Sequence, residues 1–279
     1  MHNHGHDHGH GHGHHHGGLA DLLDLDAAVL RDYHAGIVAW VAGQGPVATI
    51  ADLGAGTGAG TFGLLRQFPD ATVTAVDSDE DMLHRLAGKA AEHGLGDRVR
   101  TRRADLDSGW PADLAGLDLI WAANSMHHMA DPPRVLRDIR AALAPGGRLA
   151  LSELDSFPRF LPDGAAGGLE DRTHAAMARR REQDMPHMQS DWAALIAAAG
   201  LKVTAERRFE TTLAAPLPEA AVRYARASLA RTREGLAEDL GPADLAALDA
   251  LLGDGPDALT HRTDLTIRAA RTVWIAEPA

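Results

Sequence analysis

The chain has 279 residues, 27 basic against 39 acidic, for a formal net charge of −12. That balance excludes bulk, charge-driven binding of nucleic acid or anionic membrane, and the lack of cysteine excludes disulfides, thiolate metal sites and a cysteine nucleophile. No apolar run nears the ~20 residues that span a bilayer and no apolar signal core stands at the N-terminus, so a soluble, cytoplasmic protein is expected.

Residues 1–18 alternate His with Gly, Asp and Asn and hold nine of the seventeen histidines. Such a tract cannot build a core and is expected to be disordered. Its imidazoles, from His2 to His16, would take up Zn²⁺, Ni²⁺ or Cu²⁺ loosely and away from any catalysis. A natural metal-binding tail, an expression tag and a low-complexity extension all fit this composition. Residues 19–46 follow as a helical segment: Leu22, Leu23, Leu25, Val29, Leu30, Ile37, Val38 and Val41 recur with helical spacing between Asp21 and Ala42, and Gln44-Gly45-Pro46 stops the run.

From residue 47 the chain alternates strand and helix. Strands are predicted at Val47–Leu53, Thr72–Asp77, Val99–Arg103, Leu117–Ala123 and Arg148–Glu153. Helices are predicted from Ala59 to Phe68, from Asp79 to His93, and from Asp131-Pro132-Pro133 to Pro145-Gly146-Gly147, where an acid caps and the prolines sit in the first turn. This alternation implies right-handed crossovers and a parallel sheet covered on both faces. After Glu153 the rhythm breaks. Phe157 to Gly168 is rich in Pro and Gly, and Leu169–Asp184 reads as a polar helix. Ser190-Asp191 caps Trp192–Ala199, Leu201–Glu210 reads as a strand, a helical block runs from Leu217 to Leu252, and Asp264–Glu277 suits a last strand.

The chemistry-bearing motif is Ile50-Ala51-Asp52-Leu53-Gly54-Ala55-Gly56-Thr57-Gly58, followed by Val76-Asp77. An apolar strand ends in an acid and a glycine-dense turn, and the next strand delivers a carboxylate at its carboxyl end. That is how an open parallel sheet holds an adenosine-containing cofactor. Gly54, Gly56 and Gly58 let backbone approach a ligand, and Asp77 has the type and spacing to accept two ribose hydroxyls. A nicotinamide dinucleotide satisfies this much equally well. Three features separate the alternatives: Asp52 directly before the turn, where it can face a cationic amine; Asp105 after the third strand, placed to accept from an adenine amino group; and the Leu143-Ala144-Pro145-Gly146-Gly147 lead into the fifth strand. A dehydrogenase would also need a hydride-transfer acid, and neither Tyr33 nor Tyr224 is followed four residues later by lysine.

Those stretches, with Ala104-Asp105-Leu106 and Asn124-Ser125-Met126-His127-His128-Met129, resemble the class I S-adenosylmethionine-dependent methyltransferases, especially the small-molecule branch that includes quinone-biosynthesis enzymes. The resemblance covers about residues 47 to 153. It implies an α/β fold: a Rossmann-like seven-stranded sheet with its last strand antiparallel, and helical insertions forming a lid. Residues 47–156 would be the cofactor-binding core, and 157–279 the lid insertion, strands six and seven and a helical cap completing the same domain. The resemblance further implies S-adenosyl-L-methionine as cofactor, with S-adenosyl-L-homocysteine as product. Asp77 would hold the ribose, and Asp105 with the Leu106 amide would read the adenine. The Gly54–Gly58 loop, Ala55 included, would lie along the methionine part, whose ammonium meets the Asn124 carbonyl. Ser78 departs from the apolar residue many relatives place against the adenine, a role left to Met82 or Leu106.

A sulfonium methyl is already activated, so a base is needed only for a poorly ionised acceptor. His127 and His128, just past strand four, either serve as that base or only cap the next helix. Tyr33 and Arg31 either close over the cofactor carboxylate or belong to an ordinary amphipathic face. Arg172, Arg179, Arg180 and Arg181, with His174, Met177, Met185, His187 and Met188, form either a surface for an anionic or aromatic acceptor or a solvated helix face. Glu153 either lines the acceptor site or finishes its strand. The expected activity is methyl transfer to a small-molecule acceptor, without nucleic acid or membrane partners. A non-catalytic cofactor-binding protein with a metal-binding tail, and an NAD(P)-dependent oxidoreductase, are the alternatives.

Overall fold

The computed structural model describes residues 13–279, the side chains of 13–17, 183 and 184 excepted. The histidine tail therefore lies outside the described residues except at its helical end. Seven strands form one sheet in the order β3-β2-β1-β4-β5-β7-β6. They are β1 (Thr49–Leu53), β2 (Thr72–Asp77), β3 (Val99–Arg103), β4 (Leu117–Ala123), β5 (Leu143–Arg159), β6 (Leu201–Leu213) and β7 (Ile267–Pro278). The pairs from β3 to β5 are parallel, and β7 runs antiparallel to both β5 and β6. The order reverses between β1 and β4, which opens a crevice above their carboxyl ends where ligands of such sheets bind.

Helices α1 (Gly13–Val29), α2 (Arg31–Ala42), α3 (Ala59–Gln67), α4 (Glu80–Glu92), α5 (Pro132–Ala142), α6 (Leu169–Asp184), α7 (Trp192–Ala198), α8 (Glu219–Gly235) and α9 (Pro242–Leu252) surround the sheet. Strand alternation sorts the core into two faces. Leu119 and Trp121 of β4 pack with Ile37, Val38 and Leu64 on one side, while Ile120 and Ala122 pack with Leu136, Ile139 and Trp192 on the other. A separate apolar cluster built on Leu30, Phe160, Tyr224, Leu229, Leu248 and Ile267 holds the lid together.

Two expectations are corrected. The helix expected over Asp21–Ala42 breaks at Leu30, whose φ of −98° and ψ of 24° are not helical. The break drops Leu30, 1% exposed, into the lid cluster while Ile37, Val38 and Val41 stay on the sheet. One straight helix could not point its apolar stripe at both. The fifth strand also does not stop at Glu153. It continues to Arg159 because β7 pairs with it as far as Arg268, across register shifts that accommodate Pro158. This extension carries Phe157 out under α6.

Candidate active site

A cavity of about 880 Å³ lies over the carboxyl ends of β1, β2 and β4 and is roofed by α1, α6 and α8. That volume sits toward the upper end of the ~300–1,000 Å³ typical of small-ligand clefts.

Its floor begins at the glycine turn. Gly54 has a φ of 68°, and a Cβ there would fall 2.3 Å from Ser125 Cβ. Ser125 in turn donates to the Leu53 carbonyl at 2.7 Å, so the turns after β1 and β4 are pressed together. Gly54→Ala adds a left-handed-backbone penalty to overpacking and is expected to lower unfolding free energy by about 3 kcal/mol in denaturant titration. Gly56 and Ala55 line the cavity. Gly58 does not: its φ of 95° starts α3, and a Cβ would strike Phe62 at 2.6 Å and Leu86 at 2.9 Å. Packing of α3 on α4, rather than a ligand, explains glycine there.

Asp77 reaches back from the tip of β2. Its two oxygens accept from the backbone amides of Gly56 at 2.8 Å and Asp79 at 3.0 Å, which pins the turn and leaves each oxygen a further lone pair toward the cavity. Ser78 and the buried Met82 line the wall beside it, as does buried Leu106. Asp105 sits exposed on the rim. Its carboxylate accepts from the Ser108 hydroxyl at 2.6 Å and the Asp107 amide at 3.0 Å, which hold its pKa below the ordinary value.

The centre is more polar than its burial suggests. Asp52 is 2% exposed, and burial lifts its pKa to about 7 against the opposing hydrogen bond from the Thr61 hydroxyl at 2.6 Å, with the charge of Asp77 adding to the rise. Around it, Trp121 Nε1, Asn124 Oδ1 and Ser152 Oγ are buried without a hydrogen-bond partner, and all three residues line the cavity. Asn124 adopts a φ of 53°, and its amide donates to the Ser152 carbonyl at 2.8 Å. Unmatched donors and acceptors at the meeting of two strand tips are groups for a ligand to satisfy.

His127 and His128 stand on the short turn Met126–His128. His127 is buried, with Nδ1 2.5 Å from Glu153 Oε2, while Glu153 Oε1 accepts from the Met126 amide at 3.0 Å. A carboxylate only accepts, so the Nδ1 proton lies toward Glu153 and Nε2 is left as the basic nitrogen. The His128 ring packs on that of His127, 4.1 Å between centroids. The ring is reached from the cavity, yet the surrounding protein desolvates it and, with His127 beside it, holds its pKa at about 4.

The N-terminal helices contribute differently from expectation. Arg31 is exposed and Tyr33 donates to the Phe209 carbonyl at 3.1 Å, so neither lines the cavity. The break at Leu30 turns His34 inward instead. His34 Nε2 lies 2.8 Å from Asp26, Tyr224 donates to Asp26 at 2.7 Å, and Arg271 approaches the same carboxylate at 3.6 Å. Burial pushes the Asp26 carboxyl up, but the His34 hydrogen bond and the Arg271 charge outweigh it and leave the pKa at about 2. This cluster ties α1 and α2 to the lid helix α8 and to β7. Sequence reasoning missed Trp121, Ser152, Asp26, His34 and Arg271 as cavity residues. Trp121, Ser152 and Arg271 lie on strands, and Asp26 and His34 stand on either side of the helix break. Among the described residues, no group of three or more His, Asp or Glu is arranged to hold a metal ion, and no helix is long and apolar enough to cross a membrane.

The fold and the strand-tip cavity are similar to those of class I S-adenosylmethionine-dependent methyltransferases. Residues 51–149 match the family described as methyltransferase domain. The 27-O-demethylrifamycin SV methyltransferase of Amycolatopsis mediterranei is 31% identical over 138 residues, 48% of this chain and 50% of that one. The chain spans about half or less of the length of the curated relatives it matches. In fold it is similar to BH2331 from Bacillus halodurans C-125 (TM-score 0.56, 15% identity, 88% of this chain and 99% of that one). It is also similar to a geranyl diphosphate methyltransferase in complex with SAM (TM-score 0.52, 16% identity, 96% of this chain and 92% of that one).

Proposed function

We propose that the protein transfers a methyl group from S-adenosylmethionine to a small organic acceptor whose nucleophile must lose a proton. The observation that carries this reading is one continuous cavity, with a glycine turn and strand-tip carboxylates at one end and a buried His127–Glu153 pair beside them, under a helical roof. The small-molecule relative named above supports the acceptor class.

The residues present fit the cofactor. The free lone pairs of Asp77 would take the ribose hydroxyls, Met82 and Leu106 would flank the base, and Asp105 would accept from its amino group. The orphaned Asn124 Oδ1, with the Asn124 carbonyl, would accept from the ammonium, while Trp121 Nε1 and Ser152 Oγ would donate to the carboxylate. Ionised Asp52 would face the amine. When bound, the cofactor supplies a methyl on a cationic sulfur, so alignment and exclusion of water account for most of the acceleration. His127 Nε2 would take the proton that the acceptor's nucleophile loses on being methylated. Glu153 would steady the resulting imidazolium and hold the tautomer that leaves Nε2 unprotonated. His128, neutral and weakly basic, forms wall.

Calorimetry tests the cofactor half. Asp77→Ala and Asp105→Ala proteins with unchanged circular dichroism should each bind S-adenosylhomocysteine at least ~10-fold more weakly, the ~1.4 kcal/mol of one charge-assisted hydrogen bond. Wild-type affinity in both, or tighter binding of NAD⁺ than of S-adenosylhomocysteine by the unaltered protein, overturns the assignment.

A further inference from the structure

We propose that the acceptor is an apolar molecule bearing an anionic group, a carboxylate or phosphate, remote from the atom methylated, and that Arg181 of α6 and Arg231 of α8 hold that group. The proposal rests on the methyl-transfer reading above and deepens it.

Both arginines line the lid half of the cavity. Arg180 donates to the Gly235 carbonyl at 2.6 Å and pairs with Asp239, which brings the end of α6 against the end of α8, one turn beyond Arg231. The Arg181 guanidinium lies over the Phe157 ring, 4.3 Å from its centroid, and its Nε is buried without a hydrogen-bond partner. Burial lowers its pKa, as expected of a cation removed from water with nothing to offset the loss.

Most of the other lid arginines are neutralised. Arg172 pairs with Asp244, Arg180 with Asp239, Arg233 with Asp249 and Arg271 with Asp26. The acids that reach this half of the cavity are already engaged. Asp26 serves His34, Tyr224 and Arg271, and Glu170 accepts from the amides of Phe160 and Leu161. Among the described residues Arg181 and Arg231 have no carboxylate partner, although acids outnumber bases 39 to 27 in the chain. An unmatched, half-buried Arg181 guanidinium is costly unless a ligand anion completes it; Arg231, exposed at the same end, adds a second positive charge, and the fork geometry of both suits carboxylate or phosphate. Phe157, Met177, Met185 and Leu236 supply apolar wall between them and the base.

Position decides that the anion is not the methyl acceptor. Phe157 is four residues along β5 from Glu153, which at ~3.3 Å per residue is on the order of 10 Å. A carboxylate nucleophile would also need no base, whereas the His127–Glu153 pair supplies one. The ligand therefore spans the cavity with a hydroxyl or amine at His127 and an anion at Arg181.

The test uses the full chain saturated with S-adenosylhomocysteine and three probes: 4-(4-hydroxyphenyl)butanoic acid, the corresponding alkyl phosphate, and the neutral carboxamide. Calorimetry should show the preferred anion binding at least ~10-fold more tightly than the amide, with the stronger of the two anions identifying the natural head group. In Arg181→Gln/Arg231→Gln that preference should shrink to about twofold with affinity for S-adenosylhomocysteine unchanged, while Arg181→Lys, which keeps the charge, should retain part of it. No anion preference in the wild type, no binding of either anion, or a preference that survives the double substitution overturns the proposal and leaves the methyltransferase reading standing. Failure of the wild type to bind S-adenosylhomocysteine sinks that reading instead.

Discussion

Glu153→Gln is expected to lower kcat by about 10²–10⁴-fold, the range of a lost general base, and to leave affinity for S-adenosylhomocysteine within about twofold. The substitution is isosteric and keeps an oxygen for the Met126 amide, so the turn that carries His127 stays in place. What changes is the tautomer. A glutamine amide facing His127 Nδ1 donates, so the ring must carry its proton on Nε2, the nitrogen that should accept from the acceptor. His127→Ala should match it, and the double variant should be no worse than either single, because the two act as one unit. His128→Ala should cost far less, about threefold, since a ring with a pKa of about 4 gives up little basicity at neutral pH. Stopped or steady-state assays with labelled methyl donor check all four. Equal losses at His127 and His128, or full activity in Glu153→Gln, exclude the pair as base.

Asp52→Asn should be more stable than wild type above pH 7 and bind the cofactor product less well. The sign follows from linkage. Asp52 has a pKa of about 7 in the folded protein against an ordinary 3.8, so between those values the folded state holds the proton and the unfolded state does not. Stability contributed at this site is therefore fully present below pH ~4 and lost as pH rises toward 7, by about 4 kcal/mol at most. Asparagine removes that slope while still accepting from the Thr61 hydroxyl. The difference between variant and wild-type unfolding free energies should thus grow from pH 4 to pH 7 and then level off. A difference that is flat with pH rules out a titrating Asp52. The functional counterpart is proton release. A ligand ammonium drawn beside Asp52 favours its ionised form, so product binding near pH 6 should expel a proton from the wild type and not from Asp52→Asn. Calorimetry in two buffers of different ionisation enthalpy measures this directly, and the variant should bind about tenfold more weakly.

The cofactor end of the site was legible because it depends on local chemistry. A turn that needs positive φ at Gly54 and Gly56 selects glycine, and a strand tip that must offer acceptors selects Asp77, so type and spacing survive in the chain order. Gly58 was legible as glycine but not for its reason, since the clash it avoids is with Phe62 and Leu86, and Leu86 lies on another helix. The pairing of His127 with Glu153 joins residues 26 apart through the neighbouring strands β4 and β5. Either residue alone has an ordinary structural explanation, and only the register makes them a pair.

The acceptor end was hardly legible at all. The roles open to Tyr33 and Arg31 turned on which face of α2 meets the cavity, and that is set by where the sheet and lid cores sit, a property no local window contains. Likewise the arginines of α6 fit either an acceptor surface or a solvated face in the sequence, because whether a guanidinium is neutralised depends on α8 and α9 arriving beside it. The sequence by itself determined the strand–helix alternation, the glycine turn and the carboxylates at the strand tips, each fixed by backbone conformation or short-range periodicity. The tertiary structure alone decided which side chains share the cavity, which charges find partners and which are left for a ligand, because desolvation and ion pairing are set by elements distant in the chain.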